Sequence, residues 1–316
     1  MDVPGEKSAY TPTVANGCGY RRPVSPADLA LAIDIGGTKL AAAAVDRTGQ
    51  VRWSERVPTP PVPEGEAVWS ALAALVTRCP LPAAVCGVGC GGPMERGGTR
   101  VSPLNIPGWR DFPLRERLGE LTGAPTYVDN DAKALALGEG WCGVAAGRSD
   151  YLAMVVSTGV GGGIVLDGRL LDGAAGNAGH IGHVVVEPDG RYCACGGRGC
   201  LEAEASGPSI AAITGAPAAS ADRAMVARTG RMVGRAVASV ANLLDLRLAS
   251  VAGSVALGFG APFFAAAQEE IDRRARLPFA AGTRIVPSAL GRLAPLVGAA
   301  AVGWRGDGRF VAPRPT

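Results

Sequence analysis

Residues 29–46 read LALAIDIGGTKLAAAAVD. The apolar run 29–35 has the composition of a buried strand. Gly36 and Gly37 then allow a tight turn, and KLAAAAVD returns as a second strand. QVRWSERVP, 50–58, alternates like a third. The stretch is therefore a β-meander whose first turn carries Asp34 and two glycines.

Further along, a helix is expected from about Glu66 to Arg78, a strand at 83–89 and a loop at CGGPMERGG. APTYVDND reads as a short strand ending in acid and amide residues. AKALALGEGWCG continues as a helix with Asp131 near its start. At residue 151 the opening pattern restarts. YLAMVVSTG enters a glycine turn, and VGGGIVLDGRLL leaves it as a hairpin. Strand, glycine turn, strand thus occurs twice, at 30–45 and 151–167, which predicts an α/β chain of two lobes sharing one plan. A long helix at 223–244, a strand at LASVAGS, a helix, the strand TRIVPSA and a last helix at LAPLVGAAAVGW complete the chain.

With 316 residues and 47% hydrophobic content, the chain can bury a sizeable core. Its net charge of +3 shows no basic stripe with interleaved aromatics, so nucleic acid is not an expected partner. The most apolar long stretch, AVASVANLLDLRLASVAGSVALG, is broken by Asp245 and Arg247, so no membrane span is expected. Residues 1–28 are rich in Pro, Gly and polar side chains, read as a flexible extension without the apolar core of a signal peptide. Cys18, Cys79, Cys86, Cys90 and Cys142 lack ligand-like spacing and read as small apolar residues in a reducing cytoplasm.

The remaining cysteines are different. Residues 176–204 hold both histidines of the chain, His180 and His183, with Cys193, Cys195 and Cys200. One imidazole, His183, and three thiols at these spacings fit a closed tetrahedral zinc site of structural type. The alternatives are a disulfide pair or free thiols.

The two glycine turns, Asp34-Ile35-Gly36-Gly37-Thr38-Lys39 and Ser157-Thr158-Gly159-Val160-Gly161-Gly162-Gly163, let backbone amides point at an anion, as phosphate loops do. An aspartate beside phosphates calls for a cation, so Asp34 suggests magnesium. The alternative is a pair of ordinary hairpin turns.

With AIDIGGTK, VDNDAKALALGE, STGVGGGIV, GHIGH and CACGGRGCLEA in place, the chain resembles the ROK family of sugar kinases and sugar-responsive repressors over about residues 29–304. The resemblance implies a two-lobed actin-like ATPase (ribonuclease H-like) fold with an interlobe cleft. The first lobe, 29–129, would be completed by the C-terminal helix at about 291–316. The second, 130–290, would carry the zinc loop 183–200. It further implies transfer of the γ-phosphate of ATP, with Mg2+, to the primary hydroxyl of a hexose. ATP would meet Asp34, Gly36, Gly37, Thr38, Lys39, Ser157, Thr158, Gly159 and Gly161. Gly253 and Ser254, in VAGSVALG, resemble the adenosine loop. A homo-oligomer, dimer or tetramer, is implied as well.

Asp131 matches the family's catalytic base, a role that competes with simple capping of the helix it begins. Asn130 and Glu202 match residues that hydrogen-bond the sugar. His183 can bind zinc through one ring nitrogen and offer the other to the sugar. Asn105, in SPLNIPGW, faces the sugar or serves a turn. One position departs from the pattern. The family usually carries Glu-x-Gly-His, and this chain has His180-Ile181-Gly182-His183. A carboxylate that only accepts has become an imidazole that donates, accepts or charges. Glucose, an amino or N-acyl hexose, and a cyclitol all stay open as acceptors. A repressor would need a winged helix-turn-helix ahead of the core, and only about 28 residues precede it. A sugar sensor with a dead ATP site is the remaining alternative, opposed by the presence of both Asp34 and Asp131.

Overall fold

The computed structural model describes residues 25–62 and 64–310. Most of the expected extension, and Cys18 with it, lies outside the described residues. The described part of it forms a 3-10 turn at Pro26–Asp28, capped by the Ser25 hydroxyl, which accepts from the Ala27 N–H.

The first sheet contains β1 (Leu29–Ile35), β2 (Lys39–Asp46), β3 (Val51–Pro58), β4 (Val85–Cys90) and β5 (Thr126–Asn130), in the order β3-β2-β1-β4-β5. β1 to β3 form the antiparallel meander, while β4 and β5 run parallel to β1. Alternation along β1 sorts its side chains between two faces. Leu31, Ile33 and Ile35 meet α1 (Gly65–Val76) and α2 (Leu114–Thr122). Ala30 and Ala32, with Ala41 and Ala43, face the C-terminal helix Ala294–Gly306. That alanine face lets the helix lie close, and Gly87 allows the closest approach: a Cβ there would fall 1.9 Å from the Ala299 carbonyl oxygen.

α3 (Asp131–Cys142) leaves the first sheet and packs on the second. The second sheet contains β6 (Tyr151–Val156), β7 (Val160–Leu166), β8 (Arg169–Leu170), β9 (Leu248–Ala252) and β10 (Arg284–Pro287). Its order, β8-β7-β6-β9-β10, and its strand directions repeat those of the first sheet. The two five-stranded sheets make this an α/β protein of the two-lobed actin-like type. Between β8 and β9 come α4 (Leu201–Ala205), α5 (Gly207–Thr214) and the amphipathic α6 (Arg223–Leu244). α7 (Ser254–Phe259) and α8 (Ala261–Arg274) follow β9, and α8 packs along α6. α9 is the C-terminal helix already placed on the first sheet. α3 and α9 pack on one another, with Gly138 against Gly298. Among the described residues, no helix is long and apolar enough to cross a membrane.

Cys86 and Cys90 are buried small side chains, as the sequence suggests, whereas Cys142 at the end of α3 is exposed.

Candidate functional site

Strand register brings the two central carboxylates together. Asp34 pairs with Gly89 across β1 and β4, and Gly89 pairs with Asp129 across β4 and β5. β5 ends at Asn130 and α3 begins at Asp131. A Cβ on Gly89 would lie 3.6 Å from the Asp131 Cα, which shows how closely β4 runs beside the start of α3. Asn130 caps α3: its Oδ1 accepts from the Ala132 N–H at 3.0 Å, and Asp131 Oδ1 accepts from the same N–H at 2.8 Å. Capping and catalysis are compatible here, because Asn130 keeps its Nδ2 and Asp131 keeps Oδ2. Asn105 sits behind the first turn, where a Cβ on Gly37 would come within 2.7 Å of its own Cβ.

Both carboxyls are pushed up. Burial raises Asp34 from 3.8 to about 6, against the pull of Lys39 and with the push of Asp131. Asp131 is exposed to solvent, yet the protein massed around it also raises its carboxyl. The Ala132 N–H pulls it partly back, and so does His180 when its ring is protonated. The Asp34 shift has a consequence for stability. In the unfolded chain the carboxyl ionises near 3.8, and in the folded chain near 6. Native and unfolded states therefore bind its proton equally well below pH 3.8, and the native state loses ground as pH rises from there through 6. Asp34 is only 8% exposed, so the loss is roughly 3 kcal/mol at pH 7. Asp34→Asn in the absence of nucleotide should unfold later than wild type at pH 7–8, with the difference vanishing below pH 4. Denaturant titrations across that range measure it, and equal stability at every pH would contradict the burial of this charge.

In the first turn, the Gly36 N–H donates to the Lys39 carbonyl at 3.0 Å and the Thr38 carbonyl accepts from the Thr59 N–H at 3.1 Å. The Lys39 side chain is exposed. In the second, Ser157 Oγ lies 2.9 Å from Ser254 Oγ, joining that turn to Gly253 and Ser254 after β9. Thr158 is exposed, and Gly161 lets β7 approach Ala132 at the start of α3. Glu202, on α4, accepts from the Val160 N–H at 2.9 Å, directly after Gly159. Among the described residues no hydrogen bond joins Glu202 to Asn105, Asn130, Asp131 or either histidine.

The two imidazole rings lie nearly parallel, their centroids 6.2 Å apart. His180 Nδ1 is 2.8 Å from the Asn177 carbonyl. A carbonyl only accepts, so this nitrogen carries the proton and Nε2 of the neutral ring is left as an acceptor.

His183, Cys193, Cys195 and Cys200 converge, their ligand atoms all within 4.8 Å of one another. Cys195 Sγ and Cys200 Sγ are 3.8 Å apart, and Cys193 Sγ is 3.7 Å from His183 Nδ1. A disulfide would need about 2.05 Å between sulfurs. A zinc tetrahedron with bonds of about 2.3 Å has edges of roughly 3.8 Å, so the donor set fits the ion. Gly199, at φ 72°, closes the loop, since a Cβ there would overlap the Glu187 carbonyl oxygen at 1.7 Å. Arg235 bonds Glu187 and the Val186 carbonyl, and Arg228 bonds Glu204, tying the loop and α4 to α6.

The structure adds residues that the sequence reading passed over. Asn177 orients His180, and Lys133, Asp172 and Arg305 form a charged cluster behind α3. Lys133 had a signal: a lone cation in the apolar run DAKALALG, in a chain with three lysines.

A family model described as "ROK family" matches residues 30–304. The chain is 40% identical over 246 residues to an N-acetylmannosamine kinase of Escherichia fergusonii, covering 73% of this chain and 84% of that protein. It is 39% identical, with the same coverage, to an N-acetylmannosamine kinase of Escherichia coli O157:H7. A ROK hexokinase from Thermus thermophilus superposes with a TM-score of 0.77 at 33% identity, covering 89% of this chain and 100% of that one. A ROK family glucokinase from Streptomyces griseus, in complex with glucose and AMPPNP, gives 0.77 at 29% identity, covering 88% and 100%.

Proposed function

The chain belongs to the ROK family, and from that membership we propose that it is an ATP-dependent sugar kinase acting on the primary hydroxyl of an N-acyl hexosamine, N-acetylmannosamine first. His180 carries the choice of acceptor. It stands where the kinases that this chain resembles usually place a carboxylate at the anomeric end of the sugar. With its Nδ1 proton given to Asn177, its Nε2 accepts from a hydroxyl or an amide N–H. The relatives named N-acetylmannosamine kinases agree with this reading, at 39–41% identity against 29% for the glucose-bound glucokinase.

In this reading the first lobe, 29–129 with α9, and the second, 130–290, close on the two substrates. Asn130 Nδ2, Asn105, His180, His183 Nε2 and Glu202 hold the sugar. The two glycine turns, with Gly253 and Ser254, hold ATP. Asp131 takes the proton of the acceptor hydroxyl as its oxygen bonds to the γ-phosphorus. The bond from that phosphorus to the bridging oxygen breaks, and ADP leaves. Mg2+ bound with ATP supplies charge neutralisation, and Asp34 is the carboxylate placed to meet it. His183, Cys193, Cys195 and Cys200 would hold zinc, a fixed joint that orients the loop and takes no part in the chemistry.

The test is sugar-dependent ADP release with Mg-ATP. N-acetylmannosamine should exceed glucose by about 100-fold or more in kcat/KM, a threshold set well below the roughly 10⁴–10⁵-fold that a site built around a hydrogen-bonding group can reach. Preference for glucose, or for a cyclitol, would replace the acceptor assignment. ATP binding without turnover on any acceptor would favour a sensor.

A further inference from the structure

Lys133 lies two residues after Asp131, about 200° around α3, and so points away from the base. Its side chain is only 4% exposed. Its ammonium donates to Asp172 Oδ1 at 2.8 Å and to the Gly176 carbonyl at 3.3 Å, and it pairs with Asp129 Oδ1 at 3.0 Å. Arg305, from α9, stands 3.7 Å from Asp129 and 3.5 Å from Asp172. Two cations thus face two carboxylates, which offsets the cost of burying Lys133 and Asp129. Burial works against ionisation of Asp172, but Lys133 and Arg305 hold its carboxyl below the usual range.

Asp172 and Gly176 belong to the segment LDGAAGNAGH, 171–180, which ends at His180. The segment contains no helix or strand and is bound largely to itself. The Ala178 N–H donates to the Asp172 carbonyl at 3.0 Å, Asn177 Nδ2 donates to the Ala175 carbonyl at 3.1 Å, and His180 Nδ1 donates to the Asn177 carbonyl at 2.8 Å. Gly173, Gly176 and Gly179 all have positive φ, which leaves the backbone permissive unless something outside holds it. Lys133 holds it at two points, one of them adjacent to Asn177.

We propose that Lys133 is a positioning residue for acceptor recognition: gripping Asp172 and the Gly176 carbonyl from the helix that begins at Asp131, it sets where His180 stands relative to that carboxylate. The consequence for catalysis rests on the kinase reading, while the hold on the loop does not. A cavity of about 420 Å³ beside the cluster, lined also by Arg96, Arg115 and Tyr127, admits water to Asp129 and Asp172 when the lysine is cut back. That gives the variants a way to fold.

The experiment compares Lys133→Met, Lys133→Arg and Asp172→Asn in the full chain by hydrogen exchange and by steady-state kinetics. Exchange at 173–180 should rise about tenfold in Lys133→Met and Asp172→Asn, with β1, β6 and α6 unchanged. KM for the acceptor should rise about tenfold, the effect of one misplaced contact, while KM for ATP stays within about twofold. Lys133→Arg should restore most of both. Unchanged loop exchange, or equal rises in both KM values, overturns the proposal. If wild type phosphorylates no sugar, the kinase reading falls, and loop exchange alone decides the role of Lys133.

Discussion

Asp131→Asn should lower kcat by roughly 10²–10⁴-fold, the usual contribution of a positioned general base. The substitution is nearly isosteric, and the structure shows why it should leave the fold alone. Asn130 still caps α3 through the Ala132 N–H. The asparagine oxygen can accept from that same N–H as Asp131 Oδ1 does. What is lost is a group able to take the proton of the attacking hydroxyl. Both KM values should stay within a few-fold, because positioning of ATP and sugar falls to other residues. The measurement is kcat by coupled ADP release, with circular dichroism as the control for folding. Retention of a tenth or more of wild-type kcat would leave Asp131 a helix cap and send the search for the base elsewhere.

The doubled architecture was legible because local chemistry and global topology coincide. LALAIDIGGTKLAAAAVD and YLAMVVSTGVGGGIVL each specify a strand, a turn that needs glycine and a returning strand. The two sheets repeat one order. Helix α6 was readable end to end, since Asp222 caps its start and Asp245 stops it in a left-handed conformation. Helix α2 was passed over despite Leu114 and Leu118 at helical spacing, because it follows a proline-rich loop with weak punctuation. Helices α4, α5 and α7 are too short to show a period. In the site, residues whose chemistry is unusual for their surroundings could be picked out: two histidines, three clustered cysteines, an aspartate in an apolar strand. Contacts between distant segments could not. The bond from Glu202 to the Val160 N–H spans 42 positions, and Lys133 meets Asp172 across 39. Nothing local encodes either pairing. The orientation of His180 rests on a backbone carbonyl, which no side-chain pattern reports.

If the four ligands hold zinc as proposed, its removal should damage acceptor binding far more than ATP binding. In the proposed site the four ligands enclose the loop from His183 to Cys200, and Glu202 lies in the first turn of α4 directly beyond it. Without an ion, three thiols and an imidazole have no reason to stay within 4.8 Å of one another. Arg235 and Arg228 would still moor Glu187 and Glu204 to α6, so the second lobe should remain folded while the loop loosens. His183 and Glu202 would then lose their aim together. Two hydrogen bonds of the charged or metal-polarised kind are worth about 1.5–3 kcal/mol each. Their joint loss corresponds to a fall in kcat/KM for the sugar of roughly 10²–10⁴-fold. Cys195→Ala should therefore bind less than one equivalent of zinc, melt at a lower temperature and show that fall. The ATP term should shift only a few-fold, through the Glu202 link to the second phosphate turn. Metal analysis, thermal melts and kinetics on the same preparations separate the cases. Full activity in a zinc-free protein would make the four residues a thiol cluster with no bearing on the sugar. Equal losses for both substrates would mean that the metal holds the whole lobe rather than the acceptor loop.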